Sequence, residues 1–272
     1  MEGVDPAHIR SFRRIVWGHF RTHGRHDLPW RLTHNPYHIL VSEVMLQQTQ
    51  VSRVVPKYRA FVRAFPTLRS LAGASRGDVL RLWQGLGYNR RAKALHDAAI
   101  VLVTQYRGRV PNDTRALCAL PGIGPYTAGA VRTFAWNACV PMLETNIRTV
   151  LLHHFFAQRA RVTDTELLAC ATSLWNTKKP RAWAWALMDY GAHLKAQGVR
   201  LNTKSATYTK QSRFVGSTRQ VRGAVIHALT EEPLTTRAII RAVHAPRESI
   251  VAQLTTLARE GMVRRVGRHW QI

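Results

Sequence analysis

The stretch ALCALPGIGPYTAGAV at 116–131 restricts the fold more than any other part of the chain. An apolar helix end runs into Pro121-Gly122-Ile123-Gly124, and a second helix follows with small residues along one side. Glycines at 122 and 124 let the backbone turn sharply and approach a neighbour closely. The amides at the start of the second helix make an anion site suited to a phosphate. Taken alone, such a turn fits any tight junction between two helices. The charge of the whole chain narrows the choice: 40 Lys+Arg against 15 Asp+Glu leave a formal +25 over 272 residues. A field of that size points to a polyanionic partner, nucleic acid before an anionic membrane. The basic residues are spread through the chain, so several elements are expected to meet phosphates.

Most of residues 8–195 reads as short helices between Pro/Gly turns, because apolar residues recur three and four apart in IRSFRRIVWGHF, VVPKYRAFVRAF, RAKALHDAAIVLV and NIRTVLLHHFF. The fold class is mainly α. Residues 196–216, QGVRLNTKSATYTKQSRFVGS, are polar and basic with little periodicity and read as a loop on the surface, with a domain boundary near its end. Beyond it, QVRGAVIHALT, TTRAIIRAV and PRESIVAQLTTLAREG read as three helices, the second capped by Thr and the third opened by Pro246 and closed by Gly261. MVRRVGRHWQI alternates around Gly267 as a two-stranded wing would. Three helices and a hairpin resemble a winged helix-turn-helix domain, and Arg264, Arg265 and Arg268 favour DNA as what it touches. The N-terminal stretch MEGVDPAHIRSFRR lacks the apolar core of a leader, and no apolar run approaches the roughly 18 residues of a spanning helix. A cytoplasmic, nucleoid-associated protein is expected. Cys118, Cys139 and Cys170 are odd in number and far apart, which suggests reduced thiols rather than disulfides or a CxxC metal site.

Five motifs, in order, carry a resemblance to a known family: LPWR at 28–31, PYHILVSEVMLQQTQV at 36–51, FPT at 65–67, LWQGLGYNRRAKALH at 82–96 and LPGIGPYTAGAV at 120–131. Over roughly the first 195 residues the chain resembles MutY-type adenine DNA glycosylases of the helix-hairpin-helix superfamily. The resemblance implies a two-module domain over 1–211: a six-helix barrel at about 30–135, a second helical module from 1–29 and 136–195, and a basic loop at 196–211. Residues 212–272 form the appended winged-helix-like domain. It further implies double-stranded DNA carrying a mismatch or lesion as partner, bound across the cleft between the modules by a monomer, with one nucleotide flipped out of the duplex.

The same resemblance distributes roles. Breaking an N-glycosidic bond takes an acid to improve the leaving base and an anion to stabilise the oxocarbenium-like sugar. Glu43 matches the family's acid, and helical spacing is expected to bring Gln47 and Gln50 near its face. A pKa raised by burial is required if it is to act at neutral pH. Glu144 stands where the family has an aspartate, followed here by Thr145 and Asn146. As glutamate caps helices less well than aspartate, Thr145 or Asn146 is expected to cap and Glu144 to lean towards the sugar; a plain helix-dipole role is the alternative. Asn146 completes the catalytic set with Tyr126, which occupies the position of a nucleophilic lysine in endonuclease III enzymes. Tyrosine forms no Schiff base, so a monofunctional glycosylase follows. Arg31, Gln48, Tyr88, Gly122, Gly124, Thr127, Arg264 and Arg265 are the expected DNA contacts, Gln48 and Tyr88 as intercalating and wedging side chains.

Two family features are expected to be missing. Four cysteines that hold a [4Fe–4S] cluster usually follow the segment here written ALMDYGAHLK (186–195); Lys195 stands where the first would be, and no cysteine follows Cys170. No cluster and no metal are expected, with the basic run from Lys195 to Lys210 supplying phosphate contacts instead. The domain that reads 8-oxoguanine opposite the adenine is also expected to be lacking, with the short C-terminal segment in its place. Three readings remain: excision of adenine opposite 8-oxoguanine or G, excision of thymine or uracil from G mismatches, and a non-catalytic DNA-binding protein.

Overall fold

Among the described residues proline is the first residue of four α-helices, at Pro6, Pro36, Pro125 and Pro180, where its missing amide costs no intrahelical bond and its fixed φ suits the spiral. Other helices start on a side-chain cap: Ser75, Asp113, Ser217 and Thr235 each accept from the amide three residues on. The computed structural model describes residues 5–207, 214 and 216–272. Its helices are α1 (Pro6–His23), α2 (Pro36–Leu46), α3 (Val51–Ala64), α4 (Leu68–Ala72), α5 (Arg76–Trp83), α6 (Arg90–Gln105), α7 (Thr114–Cys118), α8 (Pro125–Trp136), α9 (Thr145–Phe155), α10 (Asp164–Leu174) and α11 (Pro180–Ala196), then α12 (Thr218–Glu231), α13 (Thr236–Ala242) and α14 (Arg247–Arg259). Two 3₁₀ turns (Pro29–Arg31 and Asn202–Lys204) and three short strands, β1 (Leu234–Thr235), β2 (Arg264–Val266) and β3 (His269–Gln271), complete the set among the described residues, so the fold is mainly α as its periodicity predicts. No helix among the described residues is long and apolar enough to cross a membrane.

The chain divides into two compact units. One comprises residues 1–43, 112–119 and 123–210. Its core is aromatic: Phe12 of α1 meets Phe155 and Trp183 edge-on, with ring centroids 5.0 and 6.0 Å away. A β-carbon at position 191 would run into the Asn146 carbonyl oxygen, so glycine there lets α11 pass against the start of α9. Asp189, buried on α11, gathers two arginines: Arg31 forks onto its two oxygens at 2.7 and 2.9 Å, and Arg25 donates from Nε at 2.7 Å and from its amide at 3.0 Å. The loop after α11 is tied down by polar side chains. Asn202 accepts from Thr149 Oγ1 at 3.1 Å and donates to the Thr145 carbonyl at 3.3 Å, Arg148 reaches both Asp164 and Ser205, and Thr207 donates to Asp164 at 3.0 Å. The polar composition that reads as a surface drape therefore serves, over 202–207, as a set of hydrogen-bond partners for α9 and α10. The expected boundary at 211/212 lies outside the described residues.

The other unit comprises residues 44–111, 120–122 and 211–272. Phe61, Leu71, Leu80, Trp83, Leu95 and Leu102 fill its core from α3 to α6. The C-terminal residues belong to it by contact. Arg81 donates to the Thr230 carbonyl at 2.8 Å, Gln84 to the Thr230 hydroxyl at 2.5 Å, and Arg76 to the Gly261 carbonyl. Thr235 caps α13, and Gly261 lies just past α14 at φ 65°, as their residue types imply. The expected two-stranded wing has a third strand: β1 pairs with β3 (Leu234↔Trp270) and β3 with β2 (Arg265↔Trp270), all antiparallel, while the Trp270 indole donates to Thr236 Oγ1 at 3.0 Å.

Glu260 joins the C-terminal helices to α6. It accepts from Arg90 and, in a fork of 3.1 and 2.5 Å, from Arg222. Hydrogen bonds from Arg90 and then Arg222 lower its pKa from 4.5 to about 2 against partial burial. A depressed carboxylate contributes stability that is present above its unfolded value and lost as pH falls through the folded one. Glu260→Gln is therefore expected to cost about 1–3 kcal/mol in thermal unfolding at pH 7, with the gap to wild type closing as pH falls from 4.5 through about 2.

Candidate active site

Helix α2, PYHILVSEVML, is apolar almost all round, so Tyr37, Ile39, Leu40, Val41, Val44 and Met45 are all buried and the single acid among them is carried inside with them. Glu43 is 5% exposed. Tyr126 Oη, in the first turn of α8, donates to its Oε2 at 3.3 Å. Dehydration of the ionised form raises the Glu43 pKa from 4.5 to about 7, the Glu144 charge adds to the rise, and the Tyr126 hydrogen bond and the Arg31 charge oppose it. Burial and the neighbouring carboxylates push the Tyr126 phenol well above 10, so it stays a neutral donor. An acid half-protonated near neutrality, with a phenol fixed on one oxygen, can give a proton to a basic atom brought beside it.

Glu144 behaves otherwise than its residue type predicts. It is itself the N-cap of α9: Oε1 accepts from the Asn146 and Ile147 amides at 2.8 Å each, and Thr145 Oγ1 donates to Oε2 at 3.2 Å. The expectation that Thr145 or Asn146 caps and frees Glu144 is thus corrected. The longer side chain folds back, and two amides with no intrahelical acceptor hold it. Asn146 has another task, accepting from Lys195 Nζ at 2.8 Å. Lys195 is half-buried; dehydration lowers its pKa, with the Glu144 charge acting in the other direction. Glu43, Tyr126, Glu144, Asn146 and Lys195 thus form one electrostatic neighbourhood within one unit.

Among the residues expected at DNA, two turn inward. Arg31 is 8% exposed, and its guanidinium is engaged by Asp189, the Arg25 carbonyl and the Trp185 ring, so it acts as a structural ion-pair partner rather than a phosphate contact. Thr127 is buried in the first turn of α8 at 3% exposure. Gly122 takes φ +72°, and a β-carbon there would lie 2.5 Å from that of Ala94, so glycine is required twice over. Gly124, the N-cap of α8, has open space around it, and no side chain caps that helix. Arg264 and Arg265 are exposed on β2.

Gln48 and Tyr88 share an unusual backbone. Both are non-glycine residues at positive φ, 54° and 48°, a conformation that costs on the order of 1 kcal/mol and persists where the surroundings enforce it. The enforcing group, missed by sequence reasoning, is Arg91. Its Nη1 donates to the Val44 and Met45 carbonyls at 2.9 Å and to that of Gln47 at 2.5 Å, and its Nη2 to the Leu86 and Gly87 carbonyls at 3.1 Å. Burial lowers its pKa to about 10. One guanidinium thus ties the end of α2 to the Gly85–Tyr88 turn. The turn at Gln48 also ends α2 at Leu46 and leaves Gln50 as the N-cap of α3, so helical spacing does not carry Gln50 to the face of Glu43.

The family model for HhH-GPD superfamily base excision DNA repair proteins matches residues 41–176, half of the chain. The chain belongs to this superfamily. It is 39% identical to the adenine DNA glycosylase of Mycolicibacterium smegmatis over 228 residues, 77% of each chain. It is 46% identical to the adenine DNA glycosylase of Mycobacterium tuberculosis over 149 residues, 54% of this chain and 48% of that one; against this second relative the match spans about half the length. Among solved structures, a thermostable thymine-DNA glycosylase superposes with TM-score 0.64 at 26% identity, over 74% of this chain and 97% of that one. A non-covalent endonuclease III–DNA complex does so with TM-score 0.63 at 18% identity, over 73% and 91%.

Within this superfamily an iron–sulfur cluster needs four thiolates, and the residues here do not fit one. The three cysteines are Cys118, Cys139 and Cys170. The position of the first expected ligand carries Lys195, whose ammonium is hydrogen-bonded to Asn146. Among the described residues no group of three or more His, Cys, Asp or Glu could hold a metal. Nor does the basic run turn wholly outward: Lys195 faces Asn146, Arg200 the Lys195 carbonyl and Lys204 the Ala157 carbonyl, while Lys210 lies outside the described residues.

A raised carboxyl pKa has a stability signature. The protonated, buried Glu43 contributes stability that is full below pH 4.5 and lost as pH rises through about 7. Glu43→Gln, similar in shape and neutral, is therefore expected to be more stable than wild type at pH 8 by on the order of 2–3 kcal/mol in chemical denaturation, the difference shrinking towards pH 5. An equal difference at both pH values would mean that Glu43 ionises normally.

Proposed function

We propose that this protein is a monofunctional DNA glycosylase of base-excision repair that removes adenine paired with 8-oxoguanine or guanine. The carrying observation is Glu43: a buried carboxyl with a pKa near 7, under the hydroxyl of a residue that cannot act as an amine nucleophile. In this reading Glu43 protonates the flipped adenine, which turns the base into a neutral leaving group. Glu144, immobilised by the α9 amides, supplies the negative charge that stabilises the oxocarbenium-like sugar, and it does so without reorganising at the moment of reaction. Asn146 and Lys195 brace that helix start. Tyr126 keeps the Glu43 proton aimed and leaves the abasic product uncut, since it forms no Schiff base. The names of the mycobacterial relatives support adenine as the base, and the net charge of +25 supports a DNA duplex as partner. A monomeric protein of the nucleoid, working without a cluster, fits the same reading.

The likeness to a thymine-DNA glycosylase, which extends over almost all of that structure, favours one alternative: thymine or uracil removed from G mismatches. Single-turnover release, scored by alkaline cleavage of the abasic strand, separates the readings on duplexes bearing A opposite 8-oxoguanine, A opposite G, and T or U opposite G. Loss of A by wild type and at least a hundredfold slower loss by Glu43→Gln is expected, the scale of a removed general acid (roughly 10²–10⁴). Release of T or U alone would move the protein to the mismatch branch. Tight binding with no release from any duplex would leave a DNA-binding protein.

A further inference from the structure

The C-terminal segment reaches the turn that carries Tyr88. Helix α12 is anchored on α5 and α6 at two points, through Thr230 on Arg81 and Gln84 and through Arg222, which shares Glu260 with Arg90. One turn before Arg222, and so on the same side of the helix, Arg219 extends to Tyr88. Its Nη1 donates to the Tyr88 hydroxyl at 2.8 Å. The guanidinium carbon also lies 5.8 Å from the Tyr88 ring centroid and 6.0 Å from that of Phe214, while Arg91 approaches the Tyr88 ring at 5.5 Å. Tyr88 itself is a bulky residue at φ 48°, 37% exposed, with Phe214 beside the same guanidinium 58% exposed. An exposed aromatic on a left-handed turn, held at its hydroxyl by a cation from another part of the chain, is arranged as a preset tool rather than as packing.

We infer that Arg219 is a positioning residue for Tyr88, so that the C-terminal segment takes part in opening the duplex by holding the wedge ready before DNA arrives. The inference rests on the reading of Tyr88 as the side chain that enters the base stack. A side chain ordered in advance loses less conformational freedom on insertion, and the hydrogen bond is charge-assisted. Removing Arg219 should therefore disfavour the flipped state by about threefold to tenfold, the factor equivalent to ordering one such side chain. The proton transfer at Glu43 should be untouched.

The test uses the full chain and two substrates: a duplex with A opposite 8-oxoguanine and 2-aminopurine beside the target, and the same duplex with an abasic site opposite the A. Fluorescence of 2-aminopurine reads flipping, and alkaline cleavage reads single-turnover release. Arg219→Ala and Tyr88→Phe are each expected to lower the flipping signal and the release rate on the paired duplex, with Arg219→Lys recovering most of the loss. The double variant should be no worse than either single one, and Arg219→Ala should match wild type on the duplex whose target A is already unpaired. Additive losses would overturn the inference, as they would make Arg219 an independent phosphate contact. Equal losses on both substrates would also overturn it, by assigning Arg219 to stability, and an unaffected Arg219→Ala would do the same. Wild type inert on both duplexes would instead refute the functional reading itself.

Discussion

Glu43 carries its carboxyl at 5% exposure, and the loss of water around the ionised form moves its protonation to about pH 7. That dehydration follows from a helix too apolar to face solvent on any side, and it sets what must surround the group. The phenol of Tyr126 has to be protonated to donate to it, and burial keeps it so. The nearby negative charge of Glu144 has to be held away from free motion, which the first amides of α9 do. Burial of this one acid is therefore paired with an anion that has been fixed in place, the pair of environments that pushes two carboxyl groups towards different tasks.

Helix α11 organises the same unit through three residues. Asp189 draws Arg25 and Arg31 onto it, Gly191 lets it pass close to Asn146, and Lys195 bonds to that asparagine. In the other unit a single guanidinium has the corresponding role. Arg91 satisfies carbonyls from the end of α2 and from the Gly85–Tyr88 turn, which lets two left-handed residues, Gln48 and Tyr88, persist at a cost these bonds offset. Arginine suits that task because its planar fork carries five donors, and no other side chain could serve so many carbonyls at once.

Much of this was legible in the sequence because it depends on local chemistry. Helix periodicity, the proline starts, the Thr235 cap, the glycine demand at position 122 and the isolation of Glu43 in an apolar helix need only near neighbours. What escaped depends on distant or geometric partners. Arg31 reads as a free cation because Asp189 stands 158 residues away. Thr127 reads as a phosphate ligand because its motif is helical, yet which side of α8 is buried is decided by packing. Glu144 caps α9 against expectation because average capping preference says little about a side chain with two amides within reach. Gln48 ends a helix with neither glycine nor proline to announce it, and the third strand is two residues long, too short for any alternation to show.

The central claim is that a protonated Glu43, with a pKa set near 7 by burial, drives base release. The pH dependence of the single-turnover rate, measured between about pH 5 and about pH 9 on the duplex with A opposite 8-oxoguanine, tests it most directly. The rate should be greatest on the acid side and fall tenfold per unit above an apparent pKa of about 7, as one protonated group disappears. A rate that stays flat through that range, or that rises with pH, would contradict the account.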